Sequence, residues 1–300
     1  MNDLQQKIIE LKKKKNALIL AHFYQTMDIQ EIADHVCDSF EMARLAHSAE
    51  QELLIICGVH FMAESAKILN PGKTVLLPKC DAGCPMADMI VPGDVLALRE
   101  KYPNAAVVCY VNSSAAVKAV SDICCTSSSA ERIVRALSEN QIIFIPDRNL
   151  GAYISSKVPE KEFIFHAGWC PVHDCVGIDD VLAARKAHPD AKLLIHPECR
   201  GDVLGHADFI GSTAEIIQFA LDSKTSEFII GTEYGVAEHL LSLAPEKRFF
   251  PLTDSFECED MKKTRLSDVL DSLESGIHEM VLSGDEVDAA RRSLERMVNI

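Results

Sequence analysis

Short apolar runs with no polar alternation punctuate this chain, and they return three times in the same order. One opens each telling, within residues 16–24, 104–112 and 190–198; a second follows at 53–57, 141–145 and 227–231, and a third at 74–77, 162–165 and 248–251. Runs of four to six residues rich in Val, Ile, Leu and Phe are what parallel strands buried on both faces require. Helical stretches such as 29–47, 129–138 and 214–221 separate them, so strand and helix alternate, the pattern of an α/β layer. The helices that introduce the units recur too, as Asp94-Val95-Leu96 and Asp180-Val181-Leu182. Asp268-Val269-Leu270 stands where a fourth unit would begin, but no strand follows it. The expected organisation is three α/β repeats at 1–92, 93–177 and 178–266. A C-terminal helical segment at 267–300 is expected to pack back on the first repeat.

The polar positions repeat as faithfully. Twelve residues past His22, Tyr110 and His196 come Asp34, Asp122 and Asp208, and five further on Ser39, Ser127 and Thr213, at constant offsets of 88 and 86. In parallel layers the working groups gather at the carboxyl ends of strands. His22, Tyr24, Tyr110, Asn112, His196 and Glu198 all fall there. The three hydroxyls precede helical stretches and read as N-caps, where backbone N–H groups and the helix dipole attract an anion. The three aspartates read as holding backbone or neighbouring hydroxyls rather than performing chemistry.

Charge narrows the partners. At −15 the chain lacks the basic stripe that phosphate neutralisation on a nucleic acid needs, so none is expected. Lys12 to Lys15, the one strong basic run, complements the dipole at the end of a first helix. No apolar run reaches the length of a membrane span, and the N-terminal stretch lacks the apolar core of a signal peptide, so a cytoplasmic protein is expected.

Eleven cysteines, an odd number, argue for free thiols or metal ligands. Cys57, Cys109, Cys124 and Cys125 lie in or beside apolar runs and read as core. Cys84, Cys170 and Cys258 differ, for each sits in the loop after the third run of its unit. Cys80, Cys175 and Cys199 compete for the same role without repeat-equivalent positions. Three equivalent cysteines converging on one axis would build a metal centre with one coordination position open. Structural zinc is closed by four ligands, whereas a cluster held by three thiolates leaves one iron for substrate. His173, close to Cys170, could reach the same cavity.

At these residues the chain resembles quinolinate synthases. The matching strings include Ala21-His22-Phe23-Tyr24-Gln25, Gly58-Val59-His60-Phe61-Met62-Ala63-Glu64, Tyr110-Val111-Asn112-Ser113, Pro146-Asp147-Arg148-Asn149-Leu150, His196-Pro197-Glu198-Cys199 and Gly211-Ser212-Thr213. The resemblance implies three αβα domains related by a pseudo-threefold axis, around a [4Fe–4S] cluster held by Cys84, Cys170 and Cys258. The implied reaction condenses iminoaspartate with dihydroxyacetone phosphate to quinolinate, on the way to NAD. The iminoaspartate would come from an upstream L-aspartate oxidase or aspartate dehydrogenase. Tyr24, Glu198 and His196 would be catalytic. His22, Ser39, Tyr110, Asn112, Ser127, His196, Glu198 and Thr213 would hold the substrates. Phe23 and Cys37 depart from the usual pattern, and no second cysteine stands near Cys258, so a regulatory disulfide there is not expected.

Two other three-cysteine iron–sulfur families share the triplicated plan, the hydroxymethylbutenyl diphosphate reductases and the diphthamide-forming aminocarboxypropyl transferases. A third alternative is a zinc-stabilised interaction module.

Overall fold

The computed structural model describes residues 1–299 and contains three four-stranded sheets, all parallel. In the first unit the order is α1 (Asp3–Lys15), β1 (Ala17–His22), α2 (Met27–Gln30), β2 (His35–Cys37), α3 (Ser39–Ser48), β3 (Leu53–Cys57), α4 (His60–Leu69) and β4 (Thr74–Leu76). The second runs α5 (Pro92–Lys101), β5 (Ala106–Tyr110), α6 (Ala115–Ala119), β6 (Ile123–Cys125), α7 (Ala130–Ala136), β7 (Gln141–Ile145), α8 (Arg148–Lys157), β8 (Glu162–Phe165) and a single turn, α9 (Pro171–Asp174). The third runs α10 (Ile178–Ala187), β9 (Lys192–Ile195), α11 (Gly201–Leu204), β10 (Phe209–Ile210), α12 (Thr213–Asp222), β11 (Glu227–Gly231), α13 (Gly235–Leu243), β12 (Arg248–Pro251) and a single turn, α14 (Glu259–Lys262). Helices α15 (Leu266–Ser275) and α16 (Gly284–Val298) follow.

Each sheet has its first strand beside the second and third, with the fourth outside the third: β2-β1-β3-β4, β6-β5-β7-β8 and β10-β9-β11-β12. The register repeats as well, since Leu20 faces His35, Val108 faces Ile123 and Leu194 faces Phe209. The second strand of each sheet is an addition to the sequence reading. Residues 29–47 do not form one helical stretch, because β2 interrupts them. The signal is weak for a physical reason: at two or three residues β2, β6 and β10 are too short to show a period.

The aspartates explain how such short strands are fixed. Asp34, Asp122 and Asp208 each accept a backbone N–H from the neighbouring first strand, at Ile19 (2.8 Å), Val107 (2.7 Å) and Leu193 (2.7 Å). Each also meets a cation from the preceding helix: Lys12 at 2.9 Å, Arg99 at 2.8 Å and Arg185 at 2.8 Å. Lys12 is buried and donates to the Ile32 carbonyl as well, so it does more than balance a helix dipole.

The cores are shared between units. One apolar cluster runs without a break from the first sheet into the second and takes in Met261 from the third. Another joins Phe23 to Leu194, Ile216 and Phe228 of the third. The C-terminal segment divides. Val269, Leu270 and Leu273 of α15 pack with Ile8 of α1 under the first sheet. Helix α16 lies against α6, β6 and α4, with Ser293 donating to the Lys118 carbonyl. Between them Leu77 and Met280 exchange backbone bonds with His278 and Val75, covering the edge of β4. Among the described residues no helix is long and apolar enough to cross a membrane.

Candidate active site

All nine groups expected to be catalytic or to hold substrate line one cavity: His22, Tyr24, Ser39, Tyr110, Asn112, Ser127, His196, Glu198 and Thr213. It encloses, with its mouth, about 410 Å³. Every unit contributes, because the carboxyl ends of β1, β5 and β9 point the same way into it. Asp38, Phe40, Met62, Thr126 and Met261 complete the lining.

The N-cap expectation for the hydroxyls needs correcting. Asp38, not Ser39, caps α3 by accepting the Glu41 N–H, and Ser212, not Thr213, caps α12 through Glu215. Ser127 lies two residues ahead of the Ser129 cap of α7. The side chain before the hydroxyl takes the orphan donor in α3 and α12, which leaves Ser39 and Thr213 to face the cavity.

Two imidazoles sit in equivalent settings. His22 Nδ1 accepts the Tyr24 N–H at 3.1 Å, and His196 Nδ1 accepts the Glu198 N–H at 3.3 Å. Burial drives both rings down to about 3, assisted at His22 by the charges of His196 and Lys262, so they are neutral near pH 7. A neutral ring whose Nδ1 accepts carries its proton on Nε2. Both therefore offer an N–H donor, suited to a carboxylate or phosphate oxygen. The amide oxygen of Asn112 is buried without a hydrogen-bond partner, a group that a bound molecule would satisfy.

A hydrogen-bonded line crosses the site. The Tyr24 hydroxyl lies 3.1 Å from Thr213 Oγ1 and 2.9 Å from Thr232 Oγ1. Thr232 Oγ1 lies 3.0 Å from His173 Nε2, and His173 Nδ1 is 2.7 Å from Glu198 Oε2. Burial pushes the Glu198 carboxyl up, but its neighbours, His173 first, outweigh it and hold it at about 2. Glu198 is thus a buried carboxylate kept charged by its neighbours. Burial and that charge keep Tyr24 and Tyr110 well above the usual phenol range, as O–H donors. Thr232 carried no sequence signal, being one polar residue after an apolar run.

Cys84, Cys170 and Cys258 line a second cavity, which shares Tyr24, Asn112, Glu198 and Met261 with the first. Each cysteine stands just before a helical turn, and His173 Nδ1 lies 3.2 Å from Cys170 Sγ. All three are free thiols. Burial pushes Cys84 up to about 12, Cys258 to about 11 and Cys170 well above the ordinary thiol range. Half-buried thiols such as these become thiolates once a cationic centre is present. Among the described residues the ligand atoms that lie within 4.8 Å of one another belong to Cys170, His173 and Glu198, not to the three cysteines. Three soft donors spread wider than one ion can span fit a cluster. The rival cysteines lie elsewhere: Cys80 and Cys175 are exposed, and Cys199 is packed in the core of the third unit.

The family model for quinolinate synthetase A protein matches residues 6–299. The chain belongs to that family. Among curated relatives, one from Caldicellulosiruptor saccharolyticus is 50% identical over 297 residues, covering 99% of this chain and 98% of its own. One from Methanoregula boonei is 48% identical over 295 residues, covering 98% and 97%. One from Clostridium perfringens strain SM101 is 47% identical over 295 residues, covering 98% of each. All three are named quinolinate synthase, an enzyme name, and the family places this chain in NAD biosynthesis.

Proposed function

We propose that this chain condenses iminoaspartate with dihydroxyacetone phosphate, giving quinolinate, phosphate and two waters. The observation that carries the reading is the pair of adjoining cavities: polar donors from three strand ends on one side, three thiols on the other, with Tyr24, Asn112 and Glu198 common to both. Two carboxylates and a phosphate need donors without much competing negative charge. The neutral His22 and His196 rings and the Ser39, Ser127 and Thr213 hydroxyls supply them, while the unpartnered Asn112 Oδ1 is an acceptor for a donor group on a substrate. Iminoaspartate would come from an L-aspartate oxidase or an aspartate dehydrogenase.

A [4Fe–4S] cluster on Cys84, Cys170 and Cys258 would supply Lewis acidity toward a hydroxyl oxygen, since three thiolates leave one iron without a protein ligand. The chain's own groups handle the protons. Glu198, ionised and in contact with both cavities, takes a proton from carbon or nitrogen; Tyr24 gives one to a departing oxygen. Thr232 and His173 connect the two, so that proton loss at one end can be balanced at the other.

The test is turnover by protein purified without oxygen, supplied with dihydroxyacetone phosphate and with iminoaspartate generated in the same vessel. Quinolinate appearing together with about four irons and four sulfides per chain, as a four-iron cluster requires, supports the reading. Zinc in place of iron, or an iron-loaded chain that forms no quinolinate, overturns it and returns the fold to a scaffold or to a rival iron–sulfur chemistry.

A further inference from the structure

Helix α14 is a single turn, directly after Cys258, yet its polar side chains reach into the first unit. Asp260 Oδ1 accepts the N–H of Gly83, the residue before Cys84, at 3.0 Å. Lys263 Nζ braces it, donating to Asp260 Oδ1 at 2.7 Å and to the Asp81 carbonyl at 2.8 Å. Toward the interior, Gln25 Nε2 donates to the Met261 carbonyl at 2.6 Å. Lys262 Nζ donates to the carbonyl of Tyr24, also at 2.6 Å.

Lys262 is the member that needs an explanation. Its side chain is 9% exposed, and its ammonium lies 2.9 Å from Oε1 of Glu233, which is fully buried. The ring of Tyr234 covers it at 4.2 Å. A buried charge pair is a poor source of stability beside an apolar pair of the same volume, but it fixes geometry, because neither partner can leave without stranding the other. Glu233 follows Thr232, the residue bonded to the Tyr24 hydroxyl. Lys262 therefore grips the Tyr24 carbonyl while its counter-ion sits next to the hydroxyl's partner. The glycine at 235 belongs to the same arrangement: a Cβ there would stand 2.9 Å from Lys262 Nζ and 3.2 Å from the Phe23 carbonyl.

We propose that Lys262, held by Glu233, is a positioning residue for Tyr24, and that the turn after Cys258 sets where the Tyr24 hydroxyl stands relative to the three-cysteine cavity. The kinetic consequence rests on the reading of Tyr24 as a proton donor; the positional one does not.

The chain has five tyrosines, so full-length protein labelled with ¹³C at the tyrosine ζ carbon gives five resonances to follow. Lys262→Met should move the signals of Tyr24 and Tyr234 and leave those of Tyr102 and Tyr153 in place. Iron content should equal wild type. With KM nearly constant, kcat should fall on the order of 10²-fold, the loss expected for displacing a reacting group by about an ångström. In a Tyr24→Phe background the same substitution should cost nothing further. Gly235→Ala, which keeps the lysine but crowds it, should shift the same two signals and stands in if Lys262→Met does not fold. An unmoved Tyr24 signal overturns the proposal. So does an equal kcat loss in the Tyr24→Phe background, or loss of iron from Lys262→Met when Tyr24→Phe retains it. A wild-type chain that makes no quinolinate removes the role given to Tyr24, and the resonance experiment still decides the positioning.

Discussion

The three units are alike where β2, β6 and β10 begin and unlike where β1, β5 and β9 end. At the first place each has an aspartate holding a backbone N–H and a helix-borne cation. At the second the same backbone positions carry His22 and Tyr24, Tyr110 and Asn112, and His196 and Glu198. Fixing a short parallel strand is the same problem in every unit and has one solution. The proposed reaction binds two unlike substrates, which is not a threefold problem; accordingly the strand ends do not match, Tyr110 and Asn112 standing where the other two carry a His followed by Tyr24 or Glu198. The cysteines belong with the repeated geometry, as the proposed cluster, with its equivalent corners, would require.

The largest break in that comparison comes from the cysteines. Cys84→Ala, Cys170→Ala and Cys258→Ala should each abolish iron retention, measured by metal analysis on protein purified without oxygen. Cys57→Ala, a buried core thiol, should keep its iron and cost about 1 kcal/mol of stability. Iron lost from Cys80→Ala instead would mean that the repeat is misaligned in that loop.

Next in size are the strand ends. Tyr24→Phe and Glu198→Gln should retain iron and bind substrate while kcat drops by roughly 10²- to 10⁴-fold, the range of a lost general acid or base. His173→Asn, which interrupts the line between them, should fall less far. If His173→Asn matched wild type in kcat, Tyr24 and Glu198 would be working independently.

Much of this is legible in the sequence alone. The strands were readable because burial on both faces leaves an unbroken apolar run, and the cysteines because the repeat gave them equivalent positions. Strand β2 was hidden by its length. Ser39 and Thr213 look like caps in the sequence because a hydroxyl one residue after a better cap, Asp38 or Ser212, gives the same pattern. Thr232 and Lys262 are invisible in the sequence, since they matter through contacts with the first unit at large separation along the chain, and Glu233 matters only through Lys262.

A pH experiment sharpens the contrast between equivalent positions. His22 falls from 6.5 to about 3 on folding, through burial first and then the charges of His196 and Lys262. The unfolded chain therefore takes up the proton first. Stability from the neutral ring is complete above pH 6.5 and is lost as pH falls toward 3. At pH 5 the loss is about 2 kcal/mol for this ring. Glu198, lowered from 4.5 to about 2, adds its loss only below the upper of those values. Denaturant midpoints at pH 7.5 and 5 should thus separate further in wild type than in His22→Asn. Tyr110, the equivalent residue, does not titrate in that window, so Tyr110→Phe should leave the separation as it is.

The smallest effects test the shared side of the comparison. Asp34→Ala, Asp122→Ala and Asp208→Ala each remove an acceptor from a strand N–H, a loss of about 1–2 kcal/mol in a denaturant series. The three values should not be identical. Lys12 has 10% of its side chain exposed, against 33% for Arg99 and 32% for Arg185. Partly exposed ion pairs contribute little, whereas a buried ammonium left without its carboxylate is costly. Asp34→Ala should therefore be the most destabilising, with the other two close together. Turnover per folded molecule should stay at the wild-type value in all three, since none of these carboxylates lines either cavity. A folded Asp122→Ala or Asp208→Ala without activity would show that the repeated aspartates serve the chemistry as well as the strands, and the division between shared scaffold and divergent site would fail.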